Sequence, residues 1–590
     1  MSEKTWSRAP LRNYRERRLI AIFWVIAVVL GAFLAWDSRH AMNPDGMSYL
    51  DMADAYLRGD WDMAVNAHWS PLYSWLLGLA MVVLKPSPFW EFSVAHLVNF
   101  VIYLCTLGSF HFFLLQLLRY NQGVNDGSGG VTLPSWAWIA LGYTLFMWST
   151  LNVITISLVT PDVLVPLFVY LASGILLRMR IGSASFLTFI LFGLVLGFGY
   201  LAKTAMLPLG LVFLGVSFFT ARKLRIALPR VLIASVVFLL IAGPYILALS
   251  RAKGRLTFGD SGKLTYAFWV NDISLNLHWQ GEPAGTGTPK HPTRKICDAP
   301  LVYEFGSPIG GTYPAWYDPS YWHEGLDPHF DLKGQIKLFK ENGTTLLQTF
   351  RSSGLLVGCL ILYLFGGKGW SCLRDIAKQW ALLVPAIAAF MMYLLICIQP
   401  RYLGSFIVLI WLGIFSGMRL PDSPHSKKMM QSAVTAMLFV MMVAIFFSPI
   451  LSAFSKCGQL MQGQNPWPHP QYEVAQGLSR MGLQPLDKVA SVGNSFKAYW
   501  ARLARAKIVA EIPFTDVDDF WAADRSVRLQ VIDRLATTGA KAIVASNIPH
   551  LARTDKWQRI GSTGYYAYLL SENGKGGRAR GQIFPLDKWS

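Results

Sequence analysis

Four ionisable residues stand where apolar runs end, and their types match a definite chemistry. Asp45 opens the acidic and aromatic stretch NPDGMSYLDMADAYLRGDWDMAVNAHWSPLYSW (43–75), which directly follows the first apolar run. Asp162 follows Thr160-Pro161, Lys203 ends the segment Gly199-Tyr200-Leu201-Ala202, and Arg401 follows Gln399-Pro400. A carboxylate at a membrane–water boundary can accept a proton from an attacking hydroxyl, and a lysine with an arginine can hold phosphate oxygens. Each residue also has a simpler structural reading. Asp45 is a helix cap, with Asp51, Asp54 and Asp60 as a solvated face, and Thr-Pro-Asp is a good helix start. A lone Lys or Arg at a helix end snorkels to the interface. The chemical reading rests on all four converging at one membrane face.

Around them lie Tyr49, Trp69 and Tyr402 as candidate contacts for a sugar or an acceptor, because aromatic faces suit sugar rings. His68 is the one residue of the first loop that could join Asp162 in holding a divalent cation. The six cysteines show no CxxC or Cys/His spacing, which argues against thiolate metal chemistry; Cys297 and Cys457 alone fall in large non-membrane segments. Asp260, Asp272, Glu282, His291 and Glu324 are polar candidates in a later loop, with ordinary solvation as their default role.

The elements that must position these residues follow from composition. Of 590 residues, 53% are hydrophobic and 15% charged, so the apolar runs lie in lipid and the chain is a polytopic α-helical membrane protein. Runs of spanning length predict about eleven transmembrane helices, at 19–36, 93–118, 134–152, 160–177, 184–202, 205–220, 231–250, 353–366, 380–397, 402–418 and 429–450. Pro71 to Leu84 is shorter and starts with Pro, which predicts an interfacial or re-entrant helix. With that choice Arg119, Arg178, Arg180 and the Arg222–Arg230, Lys368–Lys378 and Arg419–Lys428 connections share the side of the basic N-terminus. The net charge of +19 is therefore topology, and nucleic acid is disfavoured as a partner. Residues 37–92, 251–352 and the tail come out on the opposite side. The predicted organisation is a transmembrane module over 1–450, including outer loops 37–92 and 251–352, and an α/β domain over 451–590. In the tail, 489–492, 508–512 and 542–545 read as strands and 526–538 as a helix ending at Gly539.

The ordered set Asp45-x3-Tyr49-x3-Ala53, Gly59-Asp60-Trp61, Ser70-Pro71-Leu72-Tyr73-Ser74-Trp75, Thr160-Pro161-Asp162, Gly199-to-Lys203 and Arg401-Tyr402 resembles GT-C membrane glycosyltransferases, the superfamily of the aminoarabinose and protein O-mannosyl transferases. The resemblance covers about the first 420 residues. It implies a polyprenyl-phosphate sugar as donor, a lipid, polysaccharide or protein hydroxyl as acceptor, and Asp45 as the acid that activates it. In the reaction this suggests, Asp162 is a second catalytic residue that positions the acceptor, orients Lys203 or helps to bind a divalent cation, and Lys203 and Arg401 hold the donor phosphate. It further implies a multi-pass protein of the bacterial inner membrane, N-terminus cytoplasmic and tail periplasmic. His68-Trp69-Ser70-Pro71 departs from the aminoarabinose transferases, which carry Glu-Lys before Pro-Pro-Leu-Tyr, so aminoarabinose is not implied as the sugar.

Two other classes fit part of the pattern. A transporter or flippase for a lipid-linked glycan accommodates eleven spans, but its charges belong at the midplane between repeated, broken helices. A non-catalytic glycan-binding protein would use the tail domain.

Overall fold

The computed structural model describes residues 14–125, 131–182, 184–220, 224–355, 358, 369–546, 548–549 and 556–570. The chain divides into two compact units, one of residues 1–292 with 314–469 and one of residues 293–313 with 470–590.

The first unit is a helical bundle. Among the described residues, seven helices are long and apolar enough to cross a membrane: Tyr14–Asp37, Glu91–Gly123, Ser135–Ile154, Pro161–Ile181, Arg225–Ala252, Pro400–Gly417 and Pro424–Met461. Four shorter apolar helices are Pro71–Leu84, Phe186–Ala202, Met206–Thr220 and Trp380–Ile396. Ten of the eleven expected spans coincide with helices in these two groups; the eleventh, 353–366, lies mostly outside the described residues. The bundle core is largely apolar, with buried polar residues such as Asn99 and Thr106 among its helices. Phe192, Leu196, Tyr200, Phe213 and Phe238 make one apolar cluster.

The first loop folds as Pro44–Arg58, Trp61–Ala64 and Pro71–Leu84. Pro at the first turn starts both longer helices, and Gly59 in the left-handed region (φ 70°) ends the first, a conformation that costs glycine nothing. On Pro44–Arg58, Met47 and Leu50 are buried and Leu57 is exposed. Asp51, read as solvated, is buried because the helix packs on two sides; Asp60 caps the next helix by accepting from Met63 N at 3.3 Å. Ser74 Oγ donates to Tyr49 O at 2.9 Å, tying Pro71–Leu84 to Pro44–Arg58.

The second unit carries a seven-stranded sheet of order β1-β2-β4-β3-β5-β7-β6. Its strands are β1 Arg294–Asp298, β2 Leu301–Glu304, β3 Lys488–Val492, β4 Lys507–Ile512, β5 Ala542–Ser546, β6 Gln558–Arg559 and β7 Tyr565–Leu569. β4, β3 and β5 are parallel, and the outer pairings are antiparallel. The three parallel strands and the helix Arg525–Thr537 match the sequence reading within a residue or two. The boundary at 450/451 is corrected: the helix Pro424–Met461 runs through it, and the second unit begins at Pro470 and recruits the hairpin β1–β2 from the loop 251–352. A sheet edge takes a hairpin from any point of the chain whose backbone groups can pair with it, which periodicity within the tail does not reveal. Cys297 and Cys457 are both free and lie in different units.

Candidate active site

Asp162 is held by a turn whose backbone is bonded from two directions. Asn99 Nδ2 donates to Ile156 O at 3.0 Å and to Leu158 O at 2.8 Å, while its Oδ1 accepts from Tyr73 OH at 2.6 Å. Val159 N donates to Asn43 Oδ1 at 2.8 Å. Gly46 packs on this turn so closely that a Cβ there would sit 2.6 Å from Val159 Cβ. The first loop and the Asp162 turn are thus one assembly, with every amide of Asn99 and Asn43 used. Thr160 caps the short helix Pro161–Val163 and donates its hydroxyl to Asp162 Oδ2 at 3.1 Å.

Lys203 sits at the C-cap of Phe186–Ala202, outside both neighbouring helices, with an extended backbone that swings its side chain back towards Asp162. Ser70 fixes this corner, accepting from Thr204 N at 3.1 Å. Arg401 stands at the first turn of Pro400–Gly417.

These four side chains meet. Lys203 Nζ is 2.6 Å from Asp162 Oδ1, Arg401 Nε is 3.3 Å from Asp162 Oδ2, and Arg401 Nη2 is 3.9 Å from Asp45 Oδ2. Arg401 therefore spans the two acids. Asp162 is almost wholly buried, at 4% exposure, while Asp45, Arg401 and Lys203 keep about a quarter of their side chains open (25%, 26% and 23%). Lys203 Nζ also lies 3.5 Å from the centre of the Tyr402 ring, and Tyr393 packs on Tyr402 at 5.4 Å.

Burial raises the Asp45 carboxyl above its ordinary value; the Arg401 charge opposes this, the Asp162 charge adds to it, and the Trp316 hydrogen bond and Lys203 oppose it. For Lys203, burial acts to lower the pKa but the Asp162 charge overcomes it, so the ammonium is held charged. Tyr49 is pushed well above 10 by burial and by the Asp45 and Asp162 charges, so its phenol stays protonated beside both acids.

Trp316, from the loop 251–352, donates Nε1 to Asp45 Oδ1 at 3.3 Å. Its ring stacks on Trp322 at 5.1 Å and borders Trp69 at 5.9 Å. Trp69 spends its own indole N–H on Tyr317 O at 3.1 Å and meets Tyr49 edge-on at 5.2 Å. Of the expected aromatic contacts, Tyr49 and Trp69 thus form one wall with Trp316 beside Asp45, while Tyr402 packs on Tyr393 and Lys203. Trp316 was not foreseen, since nothing local distinguishes it among the tryptophans of its loop.

His68 lies within this wall, with Trp69, Trp322 and Trp316 at 4.4, 5.2 and 6.4 Å between ring centres. Burial lowers its pKa to about 4, so it is neutral at pH 7. The Asp260 charge opposes this shift only in part, and among the described residues no group of three or more His, Cys, Asp or Glu is placed to hold a metal ion. The loop candidates have structural partners: Asp260 with Arg255 at 2.6 Å, Glu324 with Lys253 at 2.8 Å, Glu282 with Gln280 N at 2.9 Å, and His291 against Tyr321 at 4.0 Å. Asp272 occupies a left-handed turn position (φ 55°).

No protein-family model matches the chain, and no curated protein matches it in sequence. Solved structures that resemble it include ArnT from Cupriavidus metallidurans bound to undecaprenyl phosphate, at 14% identity over 94% of this chain and 99% of that one, with a TM-score of 0.48. The Archaeoglobus fulgidus oligosaccharyltransferase in complex with Zn and sulfate is similar at 12% identity over 89% of this chain and 68% of that one, with a TM-score of 0.46. With TM-scores under 0.5 these are distant likenesses of overall course, and they decide nothing about the site.

Proposed function

We propose that this chain is a GT-C type membrane glycosyltransferase that moves a sugar from a polyprenyl-phosphate donor to an acceptor hydroxyl with inversion, at the outer face of the bacterial inner membrane. One observation carries the reading: a single guanidinium, Arg401, bridges Asp45 and the buried Asp162–Lys203 pair. In this reading the cluster supplies a proton acceptor and two cations for the donor phosphate at the ends of apolar helices. The ordered motif set, which includes these four residues, supports the same reading.

In the reaction, the acceptor oxygen attacks the anomeric carbon while Asp45 takes its proton. The bond from that carbon to the phosphate oxygen breaks, and the leaving polyprenyl phosphate keeps the electron pair. Its negative charge grows as the bond breaks, so Lys203 and Arg401 bind the transition state more tightly than the donor. Asp162 holds both cations in place before the donor arrives. Displacement from the face opposite the phosphate inverts the anomeric centre. Tyr49, Trp69 and Tyr402 offer ring faces to the sugar or the acceptor.

A divalent cation does not fit the four charged groups as they stand. Two carboxylates face two cations, so the cluster has no surplus negative charge to attract a metal, and Lys203 and Arg401 supply the phosphate stabilisation. His68, neutral among rings, serves better as a hydrogen-bonding wall residue than as a ligand.

The test is transfer of label from a polyprenyl-phosphate sugar to membrane acceptors by purified protein in vesicles. Arg401→Ala should lose about 10²–10³-fold in turnover, the cost of removing one preorganised donor to a developing oxyanion. Full turnover by a folded Arg401→Ala protein contradicts the assignment.

A further inference from the structure

The helix Leu332–Ser352 divides into three sectors around its axis. The inward sector carries Gln335, Leu338, Asn342 and Thr349, of which Leu338, Asn342 and Thr349 are buried. A second sector carries Leu332, Ile336, Phe339 and Leu347, at i, i+4, i+7 and i+15, all exposed; Ile336 is 50% and Phe339 43% open. Beside it runs a third sector of exposed Lys333, Lys337, Lys340 and Arg351, and the only acid on the helix is Glu341.

Asn342 connects this helix to the site. Its Nδ2 donates to Leu394 O at 3.0 Å, and its Oδ1 accepts from Ile398 N at 3.1 Å. One buried amide thus closes the end of Trp380–Ile396 and holds the turn that leads, three residues later, to Arg401. Gln335 Nε2 donates to the neighbouring Leu395 O.

We propose that Leu332–Ser352 is an interfacial helix that seats on anionic lipid headgroups and, through Asn342, fixes the turn that delivers Arg401. The charge pattern identifies the occupant. A row of apolar side chains flanked by four cations matches a headgroup layer, where the apolar row enters the acyl boundary and the cations meet phosphates. Asn342 is a positioning residue, acting on the reaction through the backbone at Ile398. The lipid surface stands on the helix alone; its coupling to turnover also rests on the role given to Arg401 above.

The experiment has two arms. A photo-crosslinking residue placed by Phe339→p-benzoylphenylalanine, in full-length protein reconstituted in vesicles of phosphatidylglycerol and phosphatidylcholine, should capture lipid. Absence of lipid adducts overturns the surface. In the second arm, turnover should be faster in anionic than in purely zwitterionic vesicles, and Lys333→Gln/Lys337→Gln/Lys340→Gln should abolish the difference. Asn342→Leu should lower kcat by about 10- to 10²-fold in both lipids, as expected for a displaced catalytic group, and Asn342→Leu/Arg401→Ala should lose no more than Arg401→Ala alone. If Asn342→Leu does not fold, Asn342→Asp keeps the acceptor for Ile398 N–H and should show the same non-additivity. Equal wild-type rates in both vesicles, or losses that multiply, overturn the coupling. Wild-type turnover by Arg401→Ala would instead remove the role of Arg401 and leave the crosslinking result standing.

Discussion

The Trp316 indole N–H donates to Asp45 Oδ1 at 3.3 Å across 271 residues of sequence. Because the bond takes one carboxylate oxygen, it fixes the rotation of the other, which faces Arg401. Trp316→Phe keeps an aromatic ring against Trp322 and removes the donor to Asp45. Removing one such hydrogen bond is worth about 1.5–3 kcal/mol when a charged group accepts it, so kcat should fall roughly 10- to 10²-fold, read in the vesicle transfer assay.

The pH dependence has a definite sign. Asp45 works as a base only when ionised, and burial raises its pKa despite the Arg401 charge. The acid limb of kcat/KM should therefore lie above the usual carboxylate value of about 4. The Trp316 hydrogen bond lowers that pKa, so Trp316→Phe should move the limb to higher pH. A folded-state pKa above the unfolded one also means that the stability tied to Asp45 falls as pH rises through the folded value. Asp45→Asn should consequently leave thermal stability at pH 7 intact or raised, which scanning fluorimetry in detergent checks.

Asp162 is the structural centre of the cluster. Asp162→Asn strands Lys203 and part of Arg401 without a counter-charge, and breaking a buried pair in this way costs about 3–5 kcal/mol. Asp162→Asn/Lys203→Met should recover a large part of the lost stability without recovering transfer. A double-mutant cycle on melting temperatures and turnover, measured together, tests both halves of this statement.

Gly46 reports on the fit between the first loop and the Asp162 turn. A Cβ there would stand 2.6 Å from Val159 Cβ and 2.7 Å from Met42 Sδ, so Gly46→Ala must displace both. Overpacking of this kind costs about 1–3 kcal/mol and should reduce turnover with it, whereas Gly59→Ala at the far end of the same helix, where nothing stands within 4 Å, should affect stability through its positive φ alone. Comparing the turnover of the two variants distinguishes packing at the site from general destabilisation.

Much of this arrangement was readable from single residues at the edges of apolar runs. Asp45, Asp162, Lys203 and Arg401 lie far apart in sequence, and the charge asymmetry of the connections was enough to place them at one end of the bundle, where the structure brings them into contact. What stayed hidden depends on long-range pairing. Asn99 lies inside an apolar helix, and its bonds to Ile156 and Leu158 arise only when that helix packs on the turn before Pro161. Trp316 belongs to a loop rich in similar residues. The β1–β2 hairpin joins a sheet whose other strands follow almost two hundred residues later, so no local pattern marks it as part of that unit.

The central claim is that Asp45 accepts the acceptor's proton. The direct measurement is sugar transfer from a radiolabelled polyprenyl-phosphate donor by purified Asp45→Asn, with folding checked by its melting temperature. Transfer reduced by several orders of magnitude, in a protein as stable as the wild type, is the predicted result; transfer at the wild-type rate would contradict it.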